Sequence, residues 1–426
     1  MVDVFAGAGG MSLGFEQAGF DVKVAVELDP VHAAIHQLNF PRCKVLCRDV
    51  RKISGQDIRT LGGFGPKTID VVVGGPPCQG FSQMGKRESR DSRNLLVFEF
   101  LRLVTELKPR VFVMENVTGF ASGTHAQLLG ELIRGFQETD YIVRLPYKIL
   151  NAMNYGVPQD RKRLFLLGAR RNRHLPQYPE TLTSHSILDP SIGVSMRDHP
   201  IAPTVADAIT DLPNVDDYKK LFEVDELHVR LRGGSRYAKI LREDIREEDD
   251  FSYPRVYDKD LLTGCLRTRH TRRSQQRFAR TSPESTERIS RFHKLSLGGV
   301  CNTLRAGTAS DRGAFTAPRP IHPVYPRCIS VREAARLTSY PDWFRFHRTI
   351  WHGFRQIGNS VPPLLGRIVA KAVLEALGDS PQRPNHSVTV GSSYLSRFDM
   401  TQAANYFGLD WHPVPPRKRV HFLIRR

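Results

Sequence analysis

Val2-Asp3-Val4-Phe5-Ala6-Gly7-Ala8-Gly9-Gly10, running on into Met11 to Ala18, is the stretch that decides the fold. It reads as a strand, a tight glycine turn and an amphipathic helix. Such a unit at the start of a sheet lets backbone approach a ligand at a helix N-terminus. Further strands are expected over 22–27, 45–47, 69–73, 110–114, 142–150 and 163–168, and helices over 11–18, 30–38, 94–107 and 126–137. Alternation of this kind predicts an α/β fold built on a doubly wound, mostly parallel sheet.

The glycine turn points to a cofactor. Seventeen residues after Gly10, at the end of the second strand, Glu27 is placed to accept hydrogen bonds from two ribose hydroxyls. Asp49 closes the third strand, within reach of an adenine amino group. GxGG lacks the third glycine of the dinucleotide fingerprint, so an adenosine cofactor without a pyrophosphate fits best. S-adenosylmethionine is the common one.

A second chemistry follows the strand at 69–73. Gly74-Gly75-Pro76-Pro77-Cys78-Gln79-Gly80-Phe81-Ser82 is a stiff loop that presents one thiol. Two prolines fix the backbone before Cys78, and flanking glycines admit another molecule. That suits a positioned sulfur nucleophile. Arg110-Val111-Phe112-Val113-Met114-Glu115-Asn116-Val117 is a buried strand ending in a carboxylate. In a parallel sheet it can lie beside the strand feeding Cys78. Thiolate and protonatable carboxyl would then face one pocket, suited to attack on an electron-poor ring with protonation of its nitrogen. Arg161 and Arg163, two residues apart on an extended segment, point to one side and suit a carboxylate, a carbonyl oxygen or a phosphate. Separately, Cys78 also reads as an inert buried thiol, Glu115 as a helix cap and the arginines as a surface pair.

Around these motifs the chain divides. Residues 1–169 carry the alternating pattern, and 170–326 are richer in Pro, Ser, Arg and Asp with weak periodicity. The second span is expected to be a smaller, irregular domain. It holds an acidic knot, 243–250, and an arginine-rich stretch, 267–291. Order returns over 327–378, with a capping box at Ser330-Val331-Arg332-Glu333 and a helix from Pro362 to Leu377 ended by Gly378. Residues 379–426 form an extension with one short helical pattern, Thr401 to Phe407, and no evident role.

The formal charge of +18, from 62 Lys and Arg against 44 Asp and Glu, favours a polyanionic partner, most simply nucleic acid. No apolar run of about 18 residues predicts a membrane helix, and the N-terminal residues lack the zones of a signal peptide. Only Met1 precedes the first strand, which points to a start further upstream. Six cysteines at 43, 47, 78, 265, 301 and 328 include no CxxC pair, so neither a zinc site nor a disulfide framework is expected. A reducing cytoplasm fits.

Taken in order, these segments resemble the DNA cytosine-5 methyltransferase family. The matching motifs are Asp3 to Gly10, Glu27, Gly75 to Ser82, Glu115-Asn116-Val117, Gln159-x-Arg161-x-Arg163, Arg332 to Leu337 and Gly358-Asn359-Ser360-Val361-Pro362-Pro363. The resemblance covers about 1–170 and 325–378. It implies a Rossmann-like methyltransferase domain with a target-recognition domain at 170–326, and an enzyme that turns a cytosine out of duplex DNA. Cys78 would attack C6, Glu115 hold or protonate N3, Arg163 bind O2 and Arg161 orient the site. Phe5 would stack on adenine, Glu27 hold the ribose, and Asn359 with Ser360 close the methionine side. Gly7, Gly9, Gly10, Asp49, Val50 and Pro77 would complete the S-adenosylmethionine site. Gln79, Ser82, Thr303 and Arg305 would touch DNA, with 79–93 as a loop closing on it. The same resemblance implies a monomeric, cytoplasmic prokaryotic protein, paired with a restriction endonuclease acting on the same site. The alternatives are a tRNA cytosine-5 methyltransferase on this fold, a catalytically silent DNA-binding relative, and a dehydrogenase, which leaves Pro-Pro-Cys unexplained.

Overall fold

A computed structural model describes residues 1–77, 95–184, 200–307 and 319–410. The first half runs β1 (Val2–Val4), α1 (Gly10–Gln17), β2 (Val24–Glu27), α2 (Pro30–Asn39), β3 (Lys44–Cys47), α3 (Gly55–Leu61), β4 (Val71–Gly74), α4 (Leu95–Leu107), β5 (Val111–Val117), α5 (Thr124–Gln137), β6 (Tyr141–Val143), β7 (Lys148–Asn151), β8 (Gln159–Asp160) and β9 (Lys162–Arg170). The main sheet has the order β3-β2-β1-β4-β5-β9-β6, with β7 also on β9. Pairing is parallel from β3 to β5. It turns antiparallel at β9. Strand order reverses between β1 and β4, so the crevice at their carboxyl ends is the switch point where α/β sheets bind ligands.

Period-two alternation builds the core on both faces of this sheet. Val111 and Val113 face one apolar layer, while Phe112 and Met114 face the other. Phe112 stacks on Phe136 of α5 with centroids 4.0 Å apart. The strand expected over 142–150 is two strands. It breaks at Leu145-Pro146, where proline removes a ladder donor.

The chain continues through α6 (Val205–Ile209), β10 (Glu226–His228), α7 (Arg236–Leu241), β11 (Arg255–Val256), β12 (Leu261–Thr263), α8 (Arg272–Arg280), β13 (Cys301–Asn302), α9 (Val331–Arg336), α10 (Ile350–Asn359), α11 (Pro363–Leu377), β14 (Val388–Thr389) and α12 (Met400–Tyr406). Ser330 caps α9 in a reciprocal capping box with Glu333. Gly378 ends α11 in the left-handed conformation at φ 70°. Both features agree with the sequence.

Parts of the span 170–326 lie on the sheet domain. The Tyr178 hydroxyl donates to the Phe165 carbonyl at 2.9 Å. Within the acidic knot, Glu247 pairs with Arg367 of α11 at 2.7 Å. Asp249 pairs with both Arg367 and Lys371. The knot is therefore a latch on α11. Just beyond it, Arg255 pairs with Glu16 of α1 at 2.8 Å and lies 4.5 Å from the Trp343 ring centroid. Among the described residues, no helix is long and apolar enough to cross a membrane.

Candidate active site

Both loops that leave the switch point carry site residues. After β4 the chain enters Gly75-Pro76-Pro77, and Cys78 lies outside the described residues, as do Gln79, Ser82 and the rest of 79–93. What the loop approaches is defined. A Cβ on Gly75 would lie 3.0 Å from Glu115 Oε2. The Asn116 side-chain amide donates to the Pro76 carbonyl at 3.0 Å. The parallel register of β4 and β5, Gly74 opposite Met114, brings these strand ends together.

Glu115 is buried, and its Oε1 lies 2.8 Å from Arg163 Nε. Burial raises the Glu115 carboxyl above its usual value, and the charges of Arg163 and Arg161 pull it back down. Arg161 does not share the carboxylate. It is fully buried, donates to the carbonyls of Leu304 and Gly358 at 2.7 Å, and donates to that of Ser360 at 2.8 Å. Burial and Arg163 lower its guanidinium to about 9, so it stays charged at neutral pH. Period-two spacing predicts one side for both arginines. In the structure one meets a carboxylate and the other is spent on main chain.

The other loop follows β1. Phe5 and Gly7 both adopt positive φ, 64° and 56°. The Gly7 N–H donates to Glu27 Oε2 and the Asp29 N–H to Glu27 Oε1, each at 2.8 Å. Burial raises the Glu27 carboxyl above its usual value, opposed by His32 and these N–H bonds. Asp3 accepts from the Ser12 hydroxyl at 2.6 Å. Burial pushes its carboxyl up to about 7 against that bond. Asp49 is buried and already bound by Arg51, with Arg51 Nη2 at 2.6 Å from Oδ2. Val50 is buried in the same apolar layer that Phe5 packs against.

The 358–363 motif closes on this loop. A Cβ on Gly10 would sit 2.4 Å from the Val361 carbonyl, 2.5 Å from the Tyr340 hydroxyl and 3.0 Å from Ser360 Cβ. Only glycine fits between α1 and that chain. Asn359 is exposed at the end of α10, and the Ser360 hydroxyl donates to the Ile357 carbonyl at 2.8 Å. On the far side, a Cβ on Gly358 would lie 2.2 Å from Ala306 N. The Thr303 hydroxyl donates to the Asp160 carbonyl at 2.6 Å, and Arg305 is exposed. Sequence reasoning assigned no role to Asn116, Tyr340 or the Asp3–Ser12 pair. Asn116 and Tyr340 meet residues distant in the chain, and Asp3 meets Ser12 across the glycine turn; no local pattern announces these contacts.

The profile of the C-5 cytosine-specific DNA methylases matches residues 1–375. The chain belongs to that family. This methylase is 51% identical over 418 residues to Type II methyltransferase M.XorII of Xanthomonas oryzae pv. oryzae, a match covering 98% of this chain and 94% of the relative. It is 32% identical over 398 residues to Type II methyltransferase M.DdeI of Desulfomicrobium norvegicum, covering 88% of each. A crystal structure described as a DNA modification methyltransferase encoded within a prophage, from E. coli, superposes with a TM-score of 0.69 at 33% identity, covering 89% of this chain and 99% of that one. The methylase is a DNA (cytosine-5)-methyltransferase, as its motif order implied.

Proposed function

We propose that this methylase turns a cytosine out of duplex DNA and methylates its C5 with S-adenosylmethionine, as the modification partner of a type II restriction endonuclease. One observation carries the chemistry: the Glu115 carboxylate, held by Arg163 at 2.8 Å, abuts Gly75 of the loop that runs into Cys78.

The chain's own groups divide the work. The Cys78 thiolate adds to C6, and the electrons of the C5–C6 double bond shift toward C5. Glu115, its carboxyl raised by burial, donates a proton to N3 so that the adduct is a neutral enamine. Arg163 holds O2. C5 would then take a methyl group released by cleavage of the donor's sulfonium C–S bond; its proton leaves to a base, elimination of the Cys78 thiolate restores the C5–C6 double bond, and the N3 proton returns to Glu115. Arg161 is a positioning residue that ties two main-chain segments, at Leu304 and at 358–360, around this centre.

The residues after β1 fit the cofactor. Gly7 has positive φ, and a Cβ there would meet nothing within 4 Å, so the cradle is open. Each Glu27 oxygen accepts one N–H and keeps a lone pair for a ribose hydroxyl. Phe5, Asp49 and Val50 would frame the adenine, with Gly9, Gly10 and Pro77 along the cofactor and Asn359 and Ser360 at the methionine end. Bound there, S-adenosylmethionine supplies an electrophilic methyl on a sulfonium. Gln79, Ser82, Thr303 and Arg305 would contact DNA. A tRNA substrate is disfavoured, because the 51% identity to M.XorII spans the recognition region as well as the sheet domain.

The test uses duplexes carrying 5-fluorocytosine, whose C5 cannot lose its substituent as a proton. Wild-type enzyme with S-adenosylmethionine should form a denaturation-resistant adduct at Cys78, and Cys78→Ser should form none. Methylation without any trapped adduct would overturn the covalent route.

A further inference from the structure

Residues 388–409 lie beyond every motif of the active site, yet they cover one whole face of α2. Strand β14 pairs in parallel with β11. The Gly391 N–H donates to the Leu38 carbonyl at 2.8 Å. A Cβ on Gly391 would sit 3.0 Å from that oxygen and 3.2 Å from Leu38 Cα. Leu395, Phe398 and Ala403 are buried against Val31, Ala34 and Leu38, which share one face of the helix. The Phe398 carbonyl adds a polar tie. His347 Nδ1 accepts the Thr349 N–H at 3.2 Å, so the proton sits on Nε2, which donates to Phe398 O at 3.0 Å.

The other side of α2 meets the glycine loop. A Cβ on Gly9 would lie 2.4 Å from Phe40 Cε2 and 3.2 Å from the His36 ring. At the helix start, Asp29 caps with its side chain and gives its own N–H to Glu27 Oε1 at 2.8 Å. A ten-residue helix does not hold itself in place. Its position is set by what packs on it: strands β2 and β3 beneath, the glycine loop on one side and the extension on the other.

We infer that residues 388–409 are a brace that sets cofactor affinity, acting through α2 on the Gly7–Gly9 loop and Glu27, with Leu395 and Phe398 as positioning residues. The inference rests on the reading that this loop and Glu27 hold S-adenosylmethionine. The Glu115–Arg163 pair stands on β5 and β9, across the sheet from β2 and β3, and does not touch the brace.

The experiment measures methylation rates of a duplex against S-adenosylmethionine concentration for the full chain, Leu395→Ala, Gly391→Ala and the volume-conserving Leu395→Met. Duplex affinity and melting temperature are followed in parallel. Leu395→Ala should raise the cofactor KM about tenfold, the effect of one weakened hydrogen bond to a charged group. Its kcat and duplex affinity should stay within about twofold of wild type. Gly391→Ala should shift KM the same way, and Leu395→Met should restore it. If Leu395→Ala does not fold, Gly391→Ala, a one-carbon change, decides the matter alone. Unchanged cofactor KM in the folded variants, or equal losses in KM, kcat and duplex affinity, would overturn the brace. A wild-type enzyme that shows no saturation with S-adenosylmethionine would instead overturn the cofactor reading, and the brace with it.

Discussion

Glu115 is pulled in two directions. Burial favours its protonated form, and Arg163 at 2.8 Å favours the carboxylate. Arg163→Gln removes the opposing charge, so the Glu115 carboxyl should rise further. The alkaline limb of kcat should move to higher pH, while kcat should fall on the order of 100-fold through loss of the proposed hold of Arg163 on O2. A pH–rate profile of the variant checks both signs. The cysteines give a second residue-scale test. Burial raises the thiols of Cys47 and Cys328 to about 12, and those of Cys43, Cys265 and Cys301 higher still. Since the thiolate is the reacting form, iodoacetamide at neutral pH should label Cys78 ahead of these five, with loss of activity. Peptide mapping locates the label, and S-adenosylmethionine with duplex should protect it.

At the scale of elements, α1 and α11 pack through glycine. A Cβ on Gly14 would lie 2.5 Å from the Pro363 carbonyl and 2.6 Å from Arg367 N, both backbone atoms that cannot swing aside. Gly14→Ala should therefore destabilise the protein by about 1–3 kcal/mol, read as a lower denaturation midpoint with unchanged slope. The strands of the sheet were legible because burial on both faces leaves continuous apolar runs such as Val71-Val72-Val73. The two nearby loop motifs were legible because Gly and Pro mark their own geometry. Helix α10 was not anticipated. It contains Gly353 and Gly358, and Thr349 at its start makes no side-chain cap. Those are loop signals, overridden by packing: Gly353 touches Val331, and Gly358 lies against Ala306. The acidic knot was equally opaque, since nothing near 243–250 reveals that its partners are Arg367 and Lys371. The same distance in sequence hid the carbonyls that occupy Arg161.

Over the whole molecule, acid stability is governed by buried imidazoles. Burial lowers His36, His322 and His347 to about 4, and His352 to about 3. In the unfolded chain each titrates near 6.5, so below that pH the unfolded state binds more protons. The stability these rings contribute is complete above pH 6.5 and is lost as pH falls toward 4, at about 1.4 kcal/mol per pH unit for each ring. Denaturant midpoints between pH 7.5 and 5 should fall steeply, and a flat profile would contradict the neutral-ring assignment. The net charge of +18 makes a further expectation: duplex affinity should fall linearly in log–log form as salt rises. One joint has a wider consequence. At Gly358 the chain of 305–306 passes so closely that no side chain fits, and the Leu304 carbonyl beside it satisfies Arg161. The regions proposed to read sequence and to hold the methyl donor would thus share a seam, and chimeras that trade specificity between relatives should need to carry 304–306 and 358 across as one inherited unit.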